Sequence, residues 1–378
     1  MAHVTGAGPT RILFVSDERA WPPISGYRHR TRLILSALAA IGQVTWVVAP
    51  RNRFDGGEPI DVPERLQAAI EPILALGRSR GRAATLARWC ITGLPWPLAA
   101  GDWSAADDVL ARSVDPDVDL IWAMGLDALA AVDRAGLEAP VVVVDADLES
   151  LKLARERTDG QPRSAFRAAV ARVDVGRWRR LESAAARERS GFSVCSEEER
   201  QLLGGTAFVT PNAYPEVDLD GGAAGGAAEV GGGAPLLFVG SMGYEPNRQG
   251  LGWFVEAILP RIRRHRPEAR LRIVGSGPPV DSAAADAAGV EVIGLVDELG
   301  PELRAAAAVV VPVLWGAGTR IKLIEAMANR VPVVSTTVGA EGLGLVHGRH
   351  LQLADDPEQF AQACVRALDA DAGIAEQV

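Results

Sequence analysis

The chain is 378 residues long, more than one domain of ordinary size requires, and 48% of it is hydrophobic, enough for two sizeable cores. Its net charge of −9 argues against nucleic acid as the main partner, and no stretch approaches the run of about 18 apolar residues that a membrane span needs. The start, MAHVTGAGPT, lacks the features of a signal peptide, and Cys90, Cys195 and Cys364 fit no zinc or redox spacing, so a reducing cytoplasm is the expected location.

The first element is RILFVS (11–16), a continuous apolar run bounded by a polar turn, as a strand buried on both faces requires. After the loop DERAWPPISG, the segment YRHRTRLILSALAAIG carries apolar residues at helical spacing and stops at Gly42, a C-cap residue. VTWVVAP (44–50) is the next strand and completes a β-α-β unit. Further strands are expected at 119–124, 140–146, 191–196 and 207–212, with helical segments between most of them, which predicts a parallel, doubly wound sheet. Residues 52–118 are polar with scattered Arg and Trp and read as helical, without a clear pattern.

Composition then shifts. Residues 218–235 are Gly/Ala-rich with almost nothing to bury and read as a flexible linker. The α/β pattern restarts after it, with strands expected at 236–241, 270–277, 290–294, 307–313, 331–336 and 350–354 and helices around 249–265 and 320–330. The fold class is therefore α/β, with two Rossmann-like domains, 1–217 and 236–378, facing across a cleft. Such sheets bind ligands beyond the carboxyl ends of their strands. The layout fits a two-domain enzyme or binding protein that closes on a nucleotide-bearing ligand.

Three strand ends in the second domain carry site-like chemistry. In LLFVGSMGYEPNRQG a buried strand runs into Gly240 and Ser241, then a turn with Gly243, Pro246 and Asn247, then a helix whose start favours an anion. Asn247 is either an N-cap or a ligand contact. IVGSGPP places Gly275 and Gly277 after a second strand, and VIGLVDEL places Gly294 after a third, where structural turns are the alternative. In VVVPVLWGAGTRIKLIEAMA, Gly318 and Thr319 precede a helix start, Arg320 and Lys322 add positive charge, and Glu325 follows one turn on. Amide groups, a helix dipole and an arginine fork suit a diphosphate, and a carboxylate suits vicinal hydroxyls. Routine surface ion pairs on a solvated helix are the plain alternative.

In the first half, PPISGYRHR is a loop entering a helix, where Gly26 could face the cleft and Arg28, His29 or Arg30 could reach a ligand. VVVVDADLES ends a strand with Asp145, Asp147 and Glu149, candidates for acid/base work; metal binding is the alternative, with no His or Cys to support it. Two Arg-rich helices, 78–89 and 163–189, read as solvated faces that could also meet an anionic acceptor or a membrane surface.

In this order, these segments resemble a family-4 glycosyltransferase of the GT-B fold, from PPISGYRHR, VDADLES and SEEE…PN to FVGSM…PN, IVGSGP, VIGLVDEL, GAGTRIKLIEAMANRVPVVST and GAEGL. The resemblance implies a retaining, metal-independent transfer of a sugar from a nucleotide diphosphate, UDP ahead of GDP, to an unidentified acceptor, with no cofactor. It places the donor in the second domain and the acceptor in the first. It makes Glu325 the second glutamate of the family's E-x7-E motif, on the ribose, while Gly240 and Gly275 line the donor cleft and Gly26 approaches the diphosphate. Ala317 stands where the first glutamate would be, as in a subgroup carrying G-x-G-T-R-x-K. Ser241 replaces the family's cation after the strand, so Arg320 and Lys322 are expected to take over the diphosphate charge, with Asp147 the remaining catalytic candidate. The histidine often found after the strand DLIWAM is missing, and Met124 lies there instead. Two rival readings keep the fold: a nucleotide-sugar epimerase, and a degenerate domain that binds nucleotide without turnover.

Overall fold

A computed structural model describes residues 9–22, 25–49, 60–75, 78–102, 104–113, 115, 117–158, 164–214, 234–277 and 289–369. The chain separates into two compact units, residues 1–157 with 162–211, and residues 158–161 with 212–378. Most of the expected linker, 218–233, falls outside the described residues.

In the first unit, β1 (Thr10–Ser16), α1 (Gly26–Ala39) and β2 (Gly42–Val48) form the expected β-α-β unit. They are followed by β3 (Ile70–Leu74), α2 (Arg82–Thr92), β4 (Leu120–Met124), β5 (Val141–Asp145), α3 (Ala165–Glu188), β6 (Gly191–Val194) and β7 (Ala207–Val209). The sheet order is β3-β2-β1-β4-β5-β6-β7, and every pairing in it is parallel. Alternate residues of β1 serve opposite layers. Leu13 and Val15 join one core with Ile121 and Ala123, while Ile12 and Phe14 join another with Trp46 and Met124. This two-sided burial is why the strand reads as an unbroken apolar run.

β3 lies in the region that sequence had read as helical. Its segment, IEPIL, sits at the sheet edge with Glu71 and Pro72 exposed, so it shows neither an apolar run nor strict alternation. A proline is tolerated there because an edge strand has one row of hydrogen-bonding groups facing out.

The second unit repeats the plan with β8 (Leu236–Val239), α4 (Glu245–Trp253), β9 (Leu271–Val274), β10 (Val290–Gly294), β11 (Ala308–Val311), α5 (Ile321–Ala328), β12 (Val333–Ser335) and β13 (Gln352–Leu353). Its order is β10-β9-β8-β11-β12-β13, again all parallel. Strand order reverses between β8 and β11. The loops that leave these two strands must therefore diverge, and the crevice between them is where an open α/β sheet binds its ligand.

Candidate active site

The sequence-predicted residues of the second unit gather at that reversal. From β8 the chain passes Gly240 and Ser241 and enters α4 directly after Tyr244. Pro246 and Asn247, expected in the turn, lie instead in the first turn of α4, where the missing proline N–H would be unpaired in any case. Asn247 is therefore not the N-cap. Its Nδ2 donates to the Ser241 carbonyl at 3.0 Å, and its Oδ1 accepts from Lys322 Nζ at 3.0 Å.

Glycine at 240 is a steric requirement of this contact. A Cβ there would stand 2.6 Å from Asn247 Nδ2 and 3.0 Å from Lys322 Nζ. Gly275, at the end of β9, has φ +145, and a Cβ on it would lie 2.0 Å from the Gly240 carbonyl oxygen. Gly275 also donates its N–H to the Gly294 carbonyl at 2.8 Å, which brings the end of β10 into the same group. Ser276 Oγ donates to Ser241 Oγ at 2.8 Å, and Met242 N to the Ser276 carbonyl at 2.9 Å, so the β8 and β9 loops are stitched together. Gly277 follows, with φ +84, next to Met242.

On the other side of the reversal, the β11 loop turns through Gly316 (φ +142) and Gly318 (φ +75) into α5. Thr319 Oγ1 accepts from Asn212 Nδ2 at 2.7 Å. Arg320 is 7% exposed and folds back into its own loop, with Nη1 donating to the carbonyls of Ala317 and Gly318. Its Nε and Nη2 are buried and have no hydrogen-bond partner among the described residues. These two donors form the fork of a guanidinium that a pair of anionic oxygens fits. Tyr244 and Arg320 Nη2 both lie against Gly316, where a Cβ would be 3.3 Å from the Tyr244 hydroxyl and 2.7 Å from Nη2.

Lys322 Nζ lies over the Phe238 ring, 4.8 Å from its centre. Burial, and secondarily the positive charge of Arg320, pull its ammonium down to a pKa of about 7, against a smaller upward pull from Glu325. Glu325 is 6% exposed, on α5 one turn beyond Lys322. The plain alternative of solvated surface pairs does not hold for Arg320 and Glu325, because both are buried.

The first unit departs further from expectation. Gly26 is the first residue of α1 itself, behind the N-cap Ser25, which accepts from Arg28 N. Arg28 pairs with Glu18 at 3.3 Å. Arg30 is consumed inside the unit, with Nε donating to Asp145 Oδ1 at 2.7 Å, Nη1 to the Thr210 carbonyl at 2.8 Å and Nη2 to Ser193 Oγ at 3.1 Å. Burial raises the Asp145 carboxyl, and Arg30 opposes that shift. Asp145 is thus a structural partner rather than an accessible acid, and Glu149 pairs with Lys152 at 3.0 Å. Asp147 alone of the three carboxylates stays exposed without a cation partner of its own in the ion pairs seen among the described residues.

The expectation that no His or Cys would stand with these carboxylates is corrected by the fold, which brings Cys195 beside Asp147. Cys195 Sγ lies 3.5 Å from Asp147 Oδ1 and 3.2 Å from Glu199 Oε2, and these ligand-type atoms all fall within 4.8 Å of one another. The contacts are those of a thiol between two carboxylates. Sequence reasoning missed this group because Cys195 reaches Asp147 only through the pairing of β5 with β6. It also missed Tyr244, Ser276 and Asn212, whose side chains carry no signal until the loops are assembled.

Residues 234–370 match the sequence profile of the family "Glycosyl transferases group 1". An uncharacterized 44.6 kDa protein in the cps region of Klebsiella pneumoniae is 30% identical over 150 residues, which cover 37% of this chain and 39% of that protein. Sucrose-phosphate synthase from Thermosynechococcus elongatus superposes with a TM-score of 0.67 at 18% identity, over 97% of this chain and 92% of its own. A TarM variant from S. aureus, in complex with fondaparinux, alpha-GlcNAc-glycerol and UDP, superposes with a TM-score of 0.56 at 12% identity, over 74% of this chain. The present chain spans 54% of that TarM chain. The fold is GT-B: two Rossmann-like domains, each on a parallel sheet.

Proposed function

We propose that this protein is a glycosyltransferase that moves a sugar from a nucleoside-diphosphate donor to an acceptor hydroxyl, with the donor held by the second unit. One observation carries the reading. Beside the Lys322–Asn247 pair, at the reversal of the β8–β11 strand order, a buried arginine edge has two donors with no acceptor among the described residues. An unmet buried donor costs about 1–3 kcal/mol, which a phosphate oxygen would offset. The match of residues 234–370 to group 1 glycosyl transferases supports the assignment, and the UDP named with the TarM complex supports UDP as the nucleotide ahead of GDP.

In this reading the bond between the anomeric carbon and the diphosphate oxygen breaks, and negative charge grows on the departing nucleoside diphosphate. Arg320, protonated Lys322 and the amides of Gly318 and Thr319 at the start of α5 stabilise that charge. Glu325 takes the ribose hydroxyls. Gly240, Gly275, Gly277 and Gly294 keep the strand ends open to the nucleotide, with Ser241 and Asn247 fixing their loop. The transfer belongs with the retaining family-4 enzymes and needs no metal, since cations and helix dipole occupy the place of a divalent ion. Asp147 is, in this reading, the first unit's carboxylate for the acceptor.

The test is release of nucleoside diphosphate from UDP-sugars and GDP-sugars, with and without EDTA, across an acceptor panel. Acceptor-dependent release that survives EDTA is expected. Conversion of the nucleotide sugar with no acceptor present would instead identify an epimerase, and tight nucleotide binding without any turnover a degenerate domain.

A further inference from the structure

α2 is poorly buried for a helix of a folded unit: of its 11 residues, Thr85 alone is fully covered. Its inner face is fixed to α3. Trp89 Nε1 donates to Asp174 Oδ1 at 2.7 Å, and the Arg177 guanidinium lies 4.3 Å above the Trp89 ring while donating to the carbonyls of Trp89 and Leu94 at 2.9 and 2.8 Å. With positions 85 and 89 turned inward, the helical repeat sends Ala83, Leu86, Ala87, Cys90 and Ile91 outward. Leu86 is 41% exposed and Ile91 83%.

α3 continues this surface. Phe166 is 55% exposed and Val173 44%, and they lie seven residues apart on the stripe that leads to Arg177. Phe166 packs edge-on against Trp96 at 5.4 Å, so it borders the segment that follows α2. These two helices, joined through Trp89, Asp174 and Arg177, thus leave four large apolar side chains exposed.

The charge around them runs against the rest of the molecule. Residues 78–96 contain Arg78, Arg80, Arg82 and Arg88 and no carboxylate, and residues 163–173 contain Arg163, Arg167 and Arg172 and no carboxylate, on a chain whose net charge is −9. Arg82 and Arg172 are exposed and have no ion-pair partner among the described residues.

We propose that the α2–α3 face docks on an anionic lipid bilayer. Leu86, Ile91, Phe166 and Val173 enter the boundary between headgroups and acyl chains, and the exposed Arg82 and Arg172 meet the lipid phosphates. Exposed apolar side chains flanked by arginines are what a surface that lies in the interface rather than across it presents, and no described helix is long and apolar enough to cross. A second copy of the chain is a poorer occupant, because a two-fold contact would set the same arginines against one another. The inference does not depend on the chemistry assigned to the second unit.

The experiment is co-sedimentation of the full chain with phosphatidylcholine vesicles, with and without phosphatidylglycerol. Binding is expected only with phosphatidylglycerol and should weaken as salt is raised. Leu86→Asp with Ile91→Asp should lower that binding by about tenfold or more. Arg82→Glu with Arg172→Glu should do the same without touching any apolar contact, and circular dichroism and melting temperature should match the parent in this second pair. Absence of sedimentation, equal binding to neutral vesicles, or full binding by the charge-reversed pair would each overturn the proposal. So would a dimer in light scattering that the Leu86/Ile91 variant dissociates, which would give the face to a second copy instead.

Discussion

Lys322 Nζ and Asn247 Oδ1 lie 3.0 Å apart although 75 positions of chain separate the two residues. The contact joins the first turn of α5 to the first turn of α4 across the reversal of strand order, and it spans the backbone of Gly240. A lysine in this place is half-buried and has gained one neutral partner, with Arg320 repelling its charge. Its lowered pKa follows, and so does a dependence of binding on pH.

Lys322 should titrate near neutrality in the free protein. Its value falls from 10.5 to about 7 on folding, so between these limits the unfolded chain holds the proton more tightly than the folded one. Stability of the free protein should therefore rise as pH climbs from about 7 towards 10.5 and level off above it. A bound diphosphate reverses the effect by favouring the ammonium. Calorimetry at pH 8 in buffers of different ionisation enthalpy should show proton uptake on binding UDP, and affinity should decline by up to about tenfold per pH unit above 7. Lys322→Met should abolish the uptake, and uptake unchanged in that variant would remove Lys322 from the site.

Arg320→Ala combined with Lys322→Ala should reduce turnover by orders of magnitude. Each charge-assisted hydrogen bond to a phosphate is worth about 1.5–3 kcal/mol, or roughly ten- to a hundredfold per residue. Because Arg320 Nε and Nη2 have no acceptor among the described residues, the melting temperature should change little. A double variant that turns over at the parent rate refutes the charge-neutralisation role, and a collapsed melting temperature would make the residues structural.

Gly240→Ala should weaken nucleotide binding more than it destabilises the fold. The added methyl meets the Asn247 amide at 2.6 Å and Lys322 Nζ at 3.0 Å, both ends of side chains that can swing aside. Gly275→Ala should act the other way round. Its φ of +145 and a 2.0 Å clash with a backbone carbonyl leave no side chain to yield, so loss of folded protein is the expected result. Thermal denaturation with and without UDP separates the two outcomes.

Arg30→Met should destabilise the first unit by about 3–5 kcal/mol, because Asp145 would be left buried without its cation. Arg30→Met with Asp145→Leu should cost less than the single substitution, since no charge then remains to be satisfied. Urea titration followed by tryptophan fluorescence would read this as a smaller shift of the first-unit transition in the double variant. A double variant less stable than Arg30→Met would show that the pair contributes more than mutual charge compensation.

The sequence by itself determined the alternation of strands and helices and both parallel sheets, because a strand covered on both faces must be apolar throughout, as RILFVS and AAVVVPV are. It also marked the glycine turns at 240, 275 and 318 and the residues Arg320, Lys322 and Glu325, since these lie close together along the chain or directly after recognisable strands. It did not reveal β3, whose edge position relaxes the pattern, nor the Arg30–Asp145 pair, whose members are 115 positions apart. Only the tertiary structure decided that Asn247 would hold Lys322 instead of capping a helix, that Arg320 would bury two donors with no acceptor among the described residues, and that Cys195 would come to rest beside Asp147. Periodicity along a chain reports which side of an element is dry, whereas a partner for a polar group is chosen by whichever distant segment the packed sheet brings within 3 Å or so, and local sequence carries no record of that choice.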